Sequence, residues 1–250
     1  MIIGGLQKFS LLDYPDHLSA IIFTQGCNFR CHFCYNPMLV EPTQRPDKFN
    51  DNTVRSNPAD NQEGHPYLIS EDDLFAFLRS RVGKLDAVVI TGGEPTLHSD
   101  LPEFIIKIRK LGFMVKLDTN GTNPEMLARL LDRQLLDYLA MDIKAPAEKY
   151  DLVVGIQFDL RKIKESIKII MNSGRPYEFR TTIVPGLLNK EDIAGIGQLI
   201  KGAEKWYLQQ FKSDTDLVNP SFRGAAPYSS AELAEMEKIA RQFVKFCQVR

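Results

Sequence analysis

Apolar residues fall along most of this chain in two alternating rhythms. Short blocks rich in branched and aromatic residues, at 18–24, 86–91, 113–118, 138–143, 177–184 and 205–210, have the length and make-up of strands. Between them, longer stretches repeat an apolar residue every three or four positions. The spacing predicts helices over 70–81, 100–111, 123–134, 160–172, 190–201 and 229–247. Start signals support several of them. Ser70 precedes Glu71, Asp72 and Asp73, Asn123-Pro124 pairs a cap with a proline at the first helical position, and Ser229 or Ser230 caps the last helix. Leu74, Phe77 and Leu78 mark the inward face of the first helix, and Ile163, Ile167 and Ile170 that of the fourth.

Six strands that alternate with helices need crossover connections, which implies a parallel sheet with helices outside it. Six units fall short of the eight that close a barrel, so the fold class predicted is α/β, a partial, open (β/α)6 barrel in one domain over 1–250. Functional groups in such folds lie at the C-terminal ends of the strands. Residues 1–17 read as an extended arm with a turn at 13–16.

One segment breaks the rhythm. From Pro42 to Pro66 the chain has four prolines, many polar residues, and only Phe49 and Val54 as sizeable apolar side chains. Such a segment buries too little surface to offset its ordering entropy and is expected to be a mobile polar insert.

Composition narrows the function classes. The 250 residues are 44% hydrophobic and 25% charged, with a net charge of −1, ordinary values for a globular protein. That charge gives no general reason to bind nucleic acid or an anionic membrane. No apolar run approaches a membrane span, and the N-terminus lacks a signal-peptide pattern, so a cytoplasmic location is expected.

Three of the four cysteines, Cys27, Cys31 and Cys34, lie within eight residues, spaced C-x3-C-x2-C directly after the first core strand. Thiolates this close can converge on one centre if the loop curls around it. Iron–sulfur clusters usually take four thiolates, so three suggest a cubane with one iron open to another ligand. Structural zinc is the competing reading, with His32 as a fourth ligand. His32 adjoins Cys31, however, whereas zinc sites usually bring in a second, distant pair. Cys247 falls with Leu233, Met236, Ala240 and Phe243 on a helical stripe and reads as core.

The cysteine spacing resembles that of the radical S-adenosylmethionine superfamily, in which the open iron is chelated by the amino and carboxylate groups of S-adenosylmethionine. Val88-Val89-Ile90-Thr91-Gly92-Gly93-Glu94-Pro95 is similar to the superfamily's Gly-Gly-Glu-Pro motif, which receives the cofactor's amino group. The opening through Gln25-Gly26-Cys27 and the run Cys34-Tyr35-Asn36 resemble glycyl-radical-enzyme activating enzymes, those serving anaerobic ribonucleoside-triphosphate reductase above all. Some of these activators carry a cysteine-rich insert for further clusters. The segment 42–66 has no cysteine, so one [4Fe–4S] cluster per chain is expected.

The resemblance extends to single residues. Asp118-Thr119-Asn120-Gly121 and Met141-Asp142-Ile143-Lys144 resemble two blocks of pyruvate formate-lyase activating enzyme. It implies that Gly92, Gly93, Glu94, Asp118, Asp142, Lys144 and Arg180 bind the cofactor. Asp118 and Asp142 would hold a monovalent cation beside its carboxylate, and Lys144 would meet that carboxylate. Plainer readings stand beside these: Glu94 as a solvated loop acid, His98 as a loop or helix-start contact, Asp142 and Lys144 as a structural ion pair. Gln210 reads equally as a site residue or a strand amide bonded to backbone. No group is needed as a general acid or base.

The function implied is reductive cleavage of S-adenosylmethionine to a 5′-deoxyadenosyl radical, which takes a hydrogen from a glycine of a partner enzyme. The partners implied are a glycyl-radical enzyme and an electron donor such as flavodoxin or ferredoxin. A radical enzyme acting on a small molecule, and a non-enzymatic zinc or electron-transfer protein, are the other classes open to the sequence.

Overall fold

The computed structural model describes residues 1–40 and 68–250. Its frame is one eight-stranded sheet in chain order: β1 (Ile3–Ser10), β2 (Ser19–Thr24), β3 (Ala87–Gly92), β4 (Met114–Thr119), β5 (Tyr138–Asp142), β6 (Tyr177–Ile183), β7 (Lys205–Gln210) and β8 (Phe246–Val249). Strands β2 to β8 run parallel, and β1 pairs antiparallel with β2. Strands β1 and β8 form the two edges and do not pair with each other, so the sheet is an open, partial barrel. Helices α1 (Glu71–Arg81), α2 (Leu101–Arg109), α3 (Pro124–Asp132), α4 (Tyr150–Val154), α5 (Leu160–Met171), α6 (Lys190–Leu199) and α7 (Ser230–Ala240) fill the crossovers.

The expected caps form. Ser70 accepts from the Asp73 amide, Asn123 from the Met126 amide, and Ser229 makes a reciprocal capping box with Glu232. Leu74 and Leu78 are buried while Phe77 is half-buried, and Ile163, Ile167 and Ile170 are all buried in the core.

Alternation along each strand divides the side chains between two very different environments. Residues pointing outward, such as Val115, Leu117, Leu139, Phe179, Trp206 and Leu208, join the main apolar core. The inward set is small and apolar only at its floor, where Tyr14, Ile21, Ala87, Val89 and Tyr138 pack together. Above that floor lie Lys116, Asp118, Asp142 and Arg180. A polar lumen is unfavourable for stability alone, since buried charge is tolerated only when paired.

The arm at 1–17 is extended with a turn, as expected: it forms strand β1 and then turns, with Asp16 at φ 64° and Tyr14 inserted into the floor of the lumen. Two elements differ from the sequence reading. The last helix stops at Ala240, and Cys247 belongs to β8, opposite Trp206 of β7. Without a helix-stopping glycine or proline at 241–246, the helical stripe has no visible end in the sequence. Pairing with β7 nevertheless takes these residues, because the β7 edge would otherwise leave its backbone groups unbonded. Cys247 is buried in the main core, as expected of it, but from a strand. The segment 42–66 lies outside the described residues.

Candidate active site

The chain after β2 is drawn into a loop that four separate segments hold. The Gly26 and Cys27 amides donate to the Leu39 and Val40 carbonyls at 2.8 and 3.0 Å, closing the loop on itself. Phe29 and Phe33 are buried in the core, and Phe29 meets Tyr150 and Phe158 edge-on. The Arg30 amide donates to Val154 at the end of α4 at 2.8 Å. On the other side, Val218 and Asn219 amides donate to the carbonyls of Cys34 and His32, each at 3.0 Å. Helix α4 was invisible in the sequence because it is only five residues long.

The Gly-Gly-Glu-Pro loop after β3 is zipped onto the same segment. Gly93 and Glu94 amides donate to the Thr24 and Gly26 carbonyls at 2.9 and 2.8 Å. His98 adds a third tie, its Nε2 3.0 Å from the Gln25 carbonyl. A carbonyl only accepts, so this nitrogen carries the proton. His98 is thus a bracket between two loops, and burial lowers its pKa.

The glycines serve this contact. A Cβ on Gly92, which has φ 116°, would lie 2.3 Å from the Thr24 amide nitrogen; one on Gly93 would lie 2.0 Å from the Gly26 carbonyl oxygen. What approaches closely here is the neighbouring backbone.

Glu94 is no solvated acid: it is 0% exposed. Its Oε1 accepts from the Thr96 amide (3.1 Å), the Thr96 hydroxyl (2.5 Å) and the Thr119 hydroxyl (2.7 Å), while Oε2 accepts from the Asn120 amide (2.6 Å). Burial raises its pKa against the pull of these donors. Oε2, with one donor, retains capacity for another. Asn120 also reaches the cysteine loop, donating to Asn28 Oδ1 at 3.0 Å with its Nδ2 4.0 Å from Cys27 Sγ.

All three cysteines line one cavity of about 410 Å³ together with Gly92, Gly93, Glu94, Asp118, Asp142, Lys144 and Arg180. The structure therefore brings together every residue proposed for the site. Burial pushes the Cys27 thiol up to about 11 and the Cys31 thiol up to about 12, so binding a metal there must release their protons. Among the described residues, no three Cys, His, Asp or Glu side chains converge on a single metal ion. His32 is turned away, stacked on Phe222 with Nδ1 3.4 Å from Asn219 Nδ2, and does not line the cavity. Three thiols around a shared void, with no fourth Cys or His beside them among the described residues, suit a cubane cluster with one open iron.

The opposite wall is a chain of ion pairs. Arg180 bridges Asp118 (NH1 to Oδ2, 2.8 Å) and Asp142 (Nε to Oδ1, 2.8 Å). Lys144 bonds Asp142 Oδ2 at 2.9 Å and lies 5.7 Å from the Phe33 ring centre, which ties this wall to the cysteine loop. Burial alone would raise the Asp142 carboxyl, but Arg180 and Lys144 overcome it and hold it well below the usual carboxylate range. The charges of Lys144 and Arg180 are stabilised in turn, despite their burial. Gln209 lines the cavity, whereas Gln210 points outward and donates to the Tyr228 carbonyl at 3.2 Å. Counting alternate positions along β7 from buried Trp206 would have found this; the same parity from Asp118 finds Lys116.

Comparison with known proteins places this geometry. A family model described as the radical SAM superfamily matches residues 21–200. A Methanocaldococcus jannaschii protein provisionally named glycyl-radical enzyme activating enzyme MJ1227 is 33% identical over 258 aligned positions, covering 100% of this chain and 95% of its own. A domain of pyruvate-formate lyase-activating enzyme from Bacteroides vulgatus superposes with a TM-score of 0.52 at 16% identity, covering 66% of this chain and 99% of that one. Streptococcus suis SuiB bound to S-adenosylmethionine gives a TM-score of 0.62 at 15% identity, over 92% of this chain and 49% of its own. At these identities the two structures speak for the fold alone. No helix among the described residues is long and apolar enough to cross a membrane.

Proposed function

The chain belongs to the radical SAM superfamily, and from that premise we propose that it activates a glycyl-radical enzyme, specifically an anaerobic ribonucleoside-triphosphate reductase. The superfamily's [4Fe–4S] cluster and S-adenosylmethionine, when bound, supply a one-electron cleavage that yields a 5′-deoxyadenosyl radical. The electron donor proposed is a small low-potential protein of the flavodoxin or ferredoxin kind.

The chain's own residues bind and orient. Cys27, Cys31 and Cys34 hold the cluster. The Gly92–Gly93 turn presents Glu94, whose Oε2 takes the cofactor's amino group as a further donor. Lys144 and Arg180 put positive charge on the wall facing it, suited to the cofactor's carboxylate. The ribonucleotide reductase assignment is supported by the Gln25-Gly26-Cys27 and Cys34-Tyr35-Asn36 runs, whereas the relative's name supports the broader reading of a glycyl-radical enzyme as partner.

The observation that carries the activase reading is the open sheet. The cavity stands at the C-terminal strand ends, and β1 and β8 leave the barrel unclosed. An extended backbone segment can enter such a groove, and glycine, lacking a side chain, lets its Cα approach closely. A peptide matching the partner's glycine loop, deuterated at the glycine Cα, should therefore pass its label into 5′-deoxyadenosine. Transfer from a nucleotide or small metabolite, and none from the peptide, would replace this reading with a small-molecule radical enzyme.

A further inference from the structure

Lys116 belongs to no motif, yet it is a buried charge in the lumen at 2% exposure. Its ammonium lies 3.0 Å from Asp118 Oδ1 and donates to the Asp13 carbonyl at 2.6 Å. With it, the carboxylate pair is complete. Asp118 Oδ1 faces Lys116, Asp118 Oδ2 and Asp142 Oδ1 share Arg180, and Asp142 Oδ2 faces Lys144. Each of these oxygens lies within 3.0 Å of a charged nitrogen of the chain; Asp118 Oδ1, which is buried and takes no hydrogen bond, is met by the ion pair with Lys116 alone. The small Ala140, opposite Asp118 on β5 and opposite Glu178 on β6, leaves the lumen open for the guanidinium to cross between β4 and β6.

An alkali ion between Asp118 and Asp142 therefore does not fit this arrangement: it would have to displace a guanidinium bonded to both carboxylates. Two carboxylates against Lys116, Arg180 and Lys144 leave the group one positive charge in excess, before any ion is added. We infer that Lys116 and Arg180 are this chain's built-in cation. Arg180 joins the two carboxylates, and Lys116 is a positioning residue that orients Asp118 from below and anchors it to the N-terminal arm at Asp13. The cofactor's carboxylate then meets the surplus charge without an alkali ion. The inference rests on the proposed placement of S-adenosylmethionine at this wall.

The test is calorimetric binding of S-adenosylmethionine to the cluster-reconstituted holoenzyme in potassium, sodium or tetramethylammonium chloride at equal ionic strength. Equal ionic strength removes general screening, so the wild-type affinity should agree within about twofold across the salts. Lys116→Met should lose about tenfold or more in tetramethylammonium, the scale of one charge-assisted contact, and regain part of it in potassium, which can enter at the vacated Asp118 oxygen. A wild-type affinity that collapses without alkali ions overturns the inference, as does a Lys116→Met protein that binds like the wild type in every salt. If Lys116→Met does not fold, the wild-type comparison decides. Absence of binding in all salts would instead remove the placement of the cofactor itself.

Discussion

Replacing Cys31 by alanine should give a folded protein that retains no stable cluster. The two halves of that expectation have different physical origins. The loop is held by the buried rings of Phe29 and Phe33 and by backbone bonds to Leu39, Val40 and Val154, none of which needs a thiolate. Deleting one buried sulfur should cost the apo protein about 1 kcal/mol, the scale of a single small core deletion. The cluster, in contrast, would drop from three protein ligands to two. Iron and sulfide content after anaerobic reconstitution should fall to background, while the circular dichroism melt of the apo variant stays within a few degrees of the wild type. Full iron and sulfide in the variant would remove Cys31 from the ligand set.

The second large effect is expected from Gly93→Ala, which adds one methyl group and changes no charge. That methyl would stand 2.0 Å from the Gly26 carbonyl oxygen and 3.0 Å from the Leu39 carbonyl oxygen, both backbone atoms. No side chain can turn aside to admit it, so one of the two loops must shift. Overpacking of this kind costs about 1–3 kcal/mol or more. The displacement falls between the Cys27 segment and Glu94, so cluster retention and binding of S-adenosylmethionine should decline together. Reconstituted iron content and cofactor affinity report the two separately. Wild-type values for both would show that the loops are not rigidly joined at Gly93.

The strands and most helices were legible because the outward face of the sheet is apolar and the helix caps are conventional: Asn123-Pro124 and Ser229 announce their helices plainly. The site was legible where chemistry is concentrated in short runs, as in Cys27 to Cys34 and Gly92 to Glu94. It was not legible where geometry depends on residues distant in sequence. Lys116 reads as an unremarkable charge in a strand: alternation alone sets it beside Asp118 on β4, but its burial against the Asp13 carbonyl depends on the distant N-terminal arm. Gly92 and Gly93 line the cavity, and the space a side chain would need there is filled by the Thr24 and Gly26 backbone, a contact the motif alone does not reveal. Strand β8 was hidden because 241–246 continue a helical stripe, and its pairing with β7 is a tertiary effect that outweighs local periodicity.

The most direct measurement of the central claim is electron paramagnetic resonance on the reduced holoenzyme mixed with S-adenosylmethionine and an intact anaerobic ribonucleotide reductase. The proposed function predicts a stable organic radical on the reductase, formed together with 5′-deoxyadenosine. Its principal splitting should collapse when the reductase is labelled with Cα-deuterated glycine. Cofactor cleavage that proceeds at an undiminished rate while the reductase stays without a radical would contradict it.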